Sequence, residues 1–126
     1  MSSPIVLTED TFDAVLQRGI VFIDFWAPWC GPCRFFGPIF EEAAGRHPDI
    51  TFAKVNTEEE QRLAGALGIR SIPTLMVAKD GVVVFAQPGV IPAAGLDDLA
   101  QQARGLDMAV VRAELARRRD AAALRS

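Results

Sequence analysis

Read for the spacing of its apolar residues, this chain switches repeatedly between two periods. Ile20-Val21-Phe22-Ile23-Asp24-Phe25-Trp26 is apolar at all but one position, the pattern of a strand covered on both faces. Pro4 to Leu7, Ile50 to Val55, Thr74 to Ala78 and Val82 to Ala86 predict further strands. Phe12, Val15 and Leu16 fall at helical spacing after Thr8, a candidate cap, and Gly19 closes that element. A second helix is predicted from about Gly31 to Gly45, with Gly37-Pro38 interrupting it. An interior proline loses a hydrogen bond and costs roughly 3 kcal/mol, so a kink is expected. Glu58 to Leu67 and Ala93 to Arg104 predict two more helices, the latter with Leu96 and Leu99 inward and Gly105 as its stop. Asp80-Gly81 between two strand patterns is a hairpin signal. Strands alternating with helices and then a hairpin predict an α/β fold, a mixed sheet with helices on both faces.

Length allows one core: 126 residues are too few for two ordinary domains. Half the residues are hydrophobic and 23% are charged, a globular balance, and the net charge of -3 gives no whole-chain attraction to nucleic acid or anionic membranes. No apolar run approaches the roughly 18 residues of a membrane span. Met1-Ser2-Ser3-Pro4 lacks a basic segment followed by a long apolar stretch, so no secretory leader is expected and a reducing cytoplasm is the expected compartment.

Chemistry enters at Trp29-Cys30-Gly31-Pro32-Cys33, which holds both cysteines of the chain. Each thiol has only the other as an internal partner, and two intervening residues allow a small reversible disulfide. A thiol attacks as thiolate, and Cys30 lies just before a predicted helix, where unpaired N–H groups favour negative charge. The helix dipole contributes about 0.3–1 kcal/mol when exposed and up to about 2 when partly buried, so direct hydrogen bonds must add to it. Cys30 is the expected nucleophile and Cys33, a turn further in and facing protein, the expected resolving thiol. Pro32 suits the first helical turn, and Gly31 leaves the approach to Cys30 open. The alternative of half a zinc site lacks ligands, since only His47 remains among the other Cys and His residues.

Residues Ile23 to Cys33 closely resemble the active-site stretch of thioredoxins. The resemblance continues through Pro38, Ala53-Lys54-Val55-Asn56, Gly68-Ile69-Arg70-Ser71-Ile72-Pro73-Thr74 and Gly89, and spans roughly residues 4 to 105. It implies the thioredoxin fold: a central mixed sheet of about five strands flanked by four helices, here followed by an extra C-terminal helix. It also implies reduction of protein disulfides, no prosthetic cofactor or metal, and recycling by a thioredoxin reductase that spends NADPH. Asp24 interrupts the apolar run, and burial there raises a carboxyl pKa. The family reading makes Asp24 the proton acceptor for Cys33; the alternative is a structural buried acid paired with Lys54, and the two coexist because a nearby ammonium would tune the carboxyl group. Pro73 is implied to follow a cis peptide bond, and Trp29, Ile72, Pro73 and Gly89 to form the docking surface around Cys30. Core packing is the alternative for Trp29 and Ile72, and suits Trp26 better.

Two features depart from the family. Pro88 precedes Gly89 on the expected docking rim, where it bears on substrate preference. The second is the chain after residue 105, which divides the protein into an expected domain over 1–105 and a helical extension over 106–126. Asp107 is placed to cap that helix, with Met108, Val111 and Leu115 at helical spacing and Glu114 set to pair with Arg118. Five arginines against Asp107, Glu114 and Asp120 give the extension +2 and leave -5 for the rest. Arg117-Arg118-Arg119 reads as a solvated helix face, and His47 as an ordinary surface histidine. A monomer is expected. The competing readings are an oxidase or isomerase, against which Gly31-Pro32 argues because such relatives commonly carry histidine there, and a binding or scaffolding module acting through the extension.

Overall fold

The apolar run at the centre of the pattern becomes β2 (Ile20–Trp26), hydrogen-bonded on both edges: parallel to β3 (Thr51–Asn56) and antiparallel to β4 (Thr74–Lys79). β1 (Ile5–Val6) pairs parallel with β3, and β5 (Val82–Pro88) antiparallel with β4, so the strand order is β1-β3-β2-β4-β5. The helices are α1 (Phe12–Leu16), α2 (Gly31–Arg46), α3 (Gln61–Ala66), α4 (Ala93–Gly105) and α5 (Met108–Arg125). This computed structural model describes residues 3–125. Met1, Ser2 and Ser126, the outermost residues of the two expected segments, lie outside the described residues.

Strand alternation sorts the core into two layers. Phe22, Phe52, Leu75 and Val77 face Phe36 and Phe40 of α2 and Leu96 and Ala100 of α4. Val21, Ile23, Phe25, Ala53, Val55 and Met76 face the other way, against Phe12, Val15 and Leu16 of α1 and Leu63 of α3. By the same period of two, Asp24 shares the face of Phe22, beneath α2. The aromatic contacts Phe22–Phe52 and Phe40–Phe52, at ring separations of 5.1 and 5.0 Å, tie that layer to α2.

Several expected boundaries move, for local reasons. α1 starts at Phe12 and not after Thr8, because Thr8 and Thr11 close a turn on each other: each backbone N–H meets the other residue, at 3.1 and 3.2 Å. α3 starts at Gln61 and not Glu58, because Asn56 holds the preceding turn; its side-chain oxygen accepts the Glu58 N–H and its carbonyl those of Glu59 and Glu60. α2 is not interrupted at Pro38 and runs to Arg46. Phe36, Phe40, Ala43 and Ala44, all buried on both sides of the proline, keep the two halves on one sheet face. The hairpin forms as expected: Asp80 and Gly81 have φ of 51° and 83° between the paired Lys79 and Val82. Gly81 is required twice over, since a Cβ there would also lie 2.6 Å from Gln17 Nε2.

His47 is not a plain surface residue. Arg104 Nη2 donates to its Nδ1 at 2.8 Å, so Nε2 carries the hydrogen given to Asp97 Oδ1 at 2.6 Å. Arg46 joins Asp97 and Arg104 joins Asp49, and the network pins the end of α2 to α4. Asp107 caps α5 through the N–H groups of Ala109 and Val110, and Glu114 pairs with both Arg117 and Arg118.

Lys79 ends α4: its ammonium donates to the carbonyls of Ala103 at 2.7 Å, Leu106 at 2.9 Å and Arg104 at 3.3 Å. A charged donor to carbonyls at the last turn of a helix is worth about 1.5–3 kcal/mol. Lys79→Met is therefore expected to lower the stability read by urea unfolding by about that amount. Faster amide exchange at Leu106, whose N–H donates to Ala103, would accompany it. An unchanged urea midpoint would show that the carbonyls are equally well served by water.

Candidate active site

The chain leaves β2 at Trp26 and turns once before α2, with the Cys30 N–H donating to the Ala27 carbonyl at 3.2 Å. Cys30 is the N-cap of α2, with extended backbone (φ -84°, ψ 114°), and its sulfur accepts the Cys33 N–H at 3.2 Å. That is the position where a helix leaves its first N–H groups unpaired. Pro32 lies in the first turn, where its lack of an N–H removes no hydrogen bond. Cys30 and Cys33 are joined as a disulfide, their Cα atoms 5.2 Å apart. Both are nearly buried, at 5% and 3% exposure, packed with Ala27, Trp26 and Ile72. A Cβ added at Gly31 would meet no heavy atom within 4 Å, so the backbone between the cysteines borders open space.

A second segment meets the dithiol from the far side of the chain. The Ile72–Pro73 bond is cis, and the Ile72 carbonyl oxygen lies 3.8 Å from Cys30 Sγ. Gly89 donates its N–H to the Pro73 carbonyl at 2.8 Å, and its φ of +101° suits glycine alone. Thr74 and Pro88 are register partners just beyond. Ile72, Pro73 and Gly89 thus form one seam that reaches Cys30. Pro88 continues the seam into a hollow of about 210 Å³, lined also by Arg70, Ser71, Thr74 and Gln87.

Trp29 is not a core residue: it is 65% exposed, and its Nε1 donates to Glu58 Oε1 at 2.8 Å. Glu58 is a rim residue that no local pattern marks, since only the chain's return after β3 brings it to Trp29. Trp26 is half-buried against the dithiol cluster, as its place in the strand suggests.

Asp24 is fully buried, and both carboxyl oxygens lack a hydrogen-bond partner. Burial pushes its pKa up to about 7; Lys54 acts against this shift and Glu41 with it. Lys54 is the register partner of Asp24 across β2 and β3, yet its ammonium does not pair with that carboxylate. It lies 3.7 Å from Glu41 Oε1 and 5.1 Å from the centre of the Trp26 ring. The expected Asp24–Lys54 ion pair is thus replaced by a Lys54–Glu41 pair at the protein's edge. An exposed carboxylate on α2 is a less costly partner than one that must ionise in the core. Among the described residues no group of three or more His, Cys, Asp or Glu side chains is placed to hold a metal ion.

The family model described as Thioredoxin matches residues 3–102. A Streptomyces coelicolor protein named "Putative thioredoxin 2" is 53% identical over 117 residues, 92% of this chain and 87% of that one, a span that reaches into α5. The thioredoxin of Bacillus subtilis is 42% identical over 96 residues, 75% of this chain and 92% of its own. Among solved structures, a mutant thioredoxin from Halobacterium salinarum superposes with a TM-score of 0.77 at 34% identity, covering 83% of this chain and 94% of that one.

The raised Asp24 pKa has a consequence for stability with a definite sign. Between the unfolded carboxyl value near 4 and about 7, the folded protein keeps a proton that the unfolded chain has lost. Stability therefore falls as pH rises through that window and levels off above it, by a total of up to about 4 kcal/mol. Asp24→Asn, neutral throughout, is expected to remove that slope from urea unfolding of the oxidised protein and to be more stable than the parent at pH 8. Identical slopes in the two proteins would show that Asp24 ionises freely in the fold.

Proposed function

The chain belongs to the thioredoxin family and is a thiol–disulfide oxidoreductase; from that premise we propose that it works in the reducing direction, on disulfides of other proteins. The observation that carries this reading is the Cys30–Cys33 pair at the start of α2 with only Gly31 and Pro32 between. A cation between the cysteines would favour the thiolate further and make the disulfide more oxidising, whereas glycine and proline add no charge.

In the reduced protein, the Cys30 thiolate is held by the Cys33 N–H and the N-terminal end of α2. It attacks one sulfur of the target disulfide, forms a mixed disulfide and expels the other target sulfur as thiolate. Cys33 then gives its proton, through water, to the carboxylate of Asp24 and attacks Cys30. This closes the Cys30–Cys33 disulfide and releases the second target sulfur; two electrons have passed to the target. A carboxyl group with a pKa near 7 accepts and returns a proton at neutral pH with little driving force wasted. Lys54 tunes that carboxyl. The seam of Ile72, Pro73 and Gly89, with exposed Trp29 opposite, receives an extended target segment, and Pro88 shapes its preference.

The electrons reside on sulfur throughout, so no prosthetic group takes part. A thioredoxin reductase drawing on NADPH restores the dithiol, a cycle suited to a reducing cytoplasm. Separately, no helix among the described residues is long and apolar enough to cross a membrane. One chain carries dithiol, carboxyl group and docking seam together, which supports a monomer as the working unit.

The unit that does this work is the region up to residue 105, with 106–126 an extension. Arg112 of α5 donates to the Asp80 carbonyl at the hairpin tip, and Lys79 beside that tip pairs with Ile20, at the start of β2. The dithiol follows the opposite end of the same strand, so the anchor of α5 and the reaction centre are separated by the strand's length, about 20 Å.

Two measurements test this. In an assay of insulin reduction driven by NADPH and thioredoxin reductase, Cys30→Ser is expected to fall to background, while Cys33→Ser accumulates a mixed disulfide visible by mass spectrometry. Failure of the parent with both the reductase and dithiothreitol as donors, its own disulfide being reducible, overturns the reductase reading. Removal of residues 107–126 is expected to leave kcat/KM within about twofold, under half a kcal/mol of barrier. A larger loss would instead favour the reading in which the extension engages the partner.

A further inference from the structure

Among the described residues, Asp24 is the buried side chain whose polar atoms meet no partner, and the nearest cation in its register is held elsewhere. Three features fix the Lys54 ammonium. Glu41 Oε1 lies 3.7 Å away, the Trp26 ring centre 5.1 Å, and a Cβ on Gly37 would stand 3.7 Å from Nζ. The ammonium is therefore lodged between α2 and the end of β2, with the Lys54 side chain 23% exposed and that of Glu41 58%.

We propose that Glu41 is a positioning residue for the dithiol reaction: its carboxylate anchors the Lys54 ammonium on α2, so that Asp24 is left without an ion pair and its carboxylate stays basic enough to take the Cys33 proton near neutral pH. The proposal deepens the reading above and rests on Asp24 being the proton acceptor for Cys33. Its physical basis is a choice between two partners for one cation. An ammonium in direct contact with a buried carboxylate lowers the pKa by about 1–3 units and leaves a group that is ionised at neutrality and accepts no proton there. With Glu41 sharing the cation, the field of Lys54 at Asp24 is partly cancelled. The directions agree, with Lys54 lowering and Glu41 raising the proton affinity of Asp24. These two are the charged groups that act on Asp24. From β4 its register partner is apolar Leu75, and α2 adds the uncharged disulfide.

Glu41 is largely exposed and outside the core, so its replacement leaves the packing intact. The test is titration of the Asp24 carboxyl carbon by NMR in the oxidised protein, with the pH profile of mixed-disulfide resolution measured in single turnovers. Glu41→Gln is expected to lower the Asp24 midpoint by a few tenths of a unit, about a twofold smaller ratio of protonated to ionised carboxyl at pH 7. The resolution profile should move the same way, and Glu41→Asp should restore most of both shifts. In a Lys54→Leu background the effect of Glu41→Gln should shrink, because the cation it positions is gone. An Asp24 midpoint unmoved by Glu41→Gln, or moved equally without Lys54, overturns the clamp while leaving the role of Asp24 standing. A moved midpoint with an unmoved rate profile overturns the proton-acceptor role of Asp24 and, with it, the catalytic part of the proposal.

Discussion

Complete enclosure of β2 is the constraint on which the rest of this structure depends. Paired on both edges and covered on both faces, the strand leaves no freedom in where its last residue points. Its C-terminal end is therefore a fixed platform from which one short turn delivers Cys30 to the first position of α2. The parallel partner β3 is reached only by crossing over through α2, so the helix that carries the dithiol is also the helix that covers the strand. Packing and chemistry share the same side chains: Phe36 and Phe40 hold α2 to the sheet, and that hold places Cys33 against protein and not solvent.

The same enclosure makes Asp24 costly. A carboxyl group on the α2 face of β2, with no donor for either oxygen, is a local violation: among the described residues it is the buried side chain whose polar atoms lack partners. The cost appears as a pKa near 7 and as stability lost above the acid range. What it secures, in the proposed mechanism, is a proton acceptor matched to neutral pH and shielded from bulk water. Lys54 and Glu41 act on it in opposite directions, the first lowering and the second raising its proton affinity.

In the proposed function, docking and reaction fall to different parts of the chain. The seam of Ile72, Pro73 and Gly89 belongs to the approach to β4 and the exit from β5, while Trp29 belongs to the turn before α2 and is steadied by Glu58. In the proposed function, a change at Pro88 would therefore act on substrate preference without touching the sulfurs. The extension beyond residue 105 is anchored at the other end of the sheet, by buried Met108 and by Arg112 on the hairpin tip.

The chain's own pattern determined whatever depends on neighbours in sequence. The unbroken apolar run specified an enclosed strand, Asp80-Gly81 a tight hairpin, Asp107 a cap, and two cysteines three residues apart a disulfide at a helix start. These are set by backbone geometry within a few residues, so local spacing suffices. The family's ordered motifs added the cis bond before Pro73 and the seam around it. Tertiary structure alone decided which partner each long side chain takes. Lys54 reaches Glu41 and not Asp24, His47 is held between Asp97 and Arg104, and Trp29 finds Glu58. Each of those outcomes turns on helix faces and strand register between residues remote in the chain. The energy differences are small beside the burial that fixes the fold, and no local period encodes them.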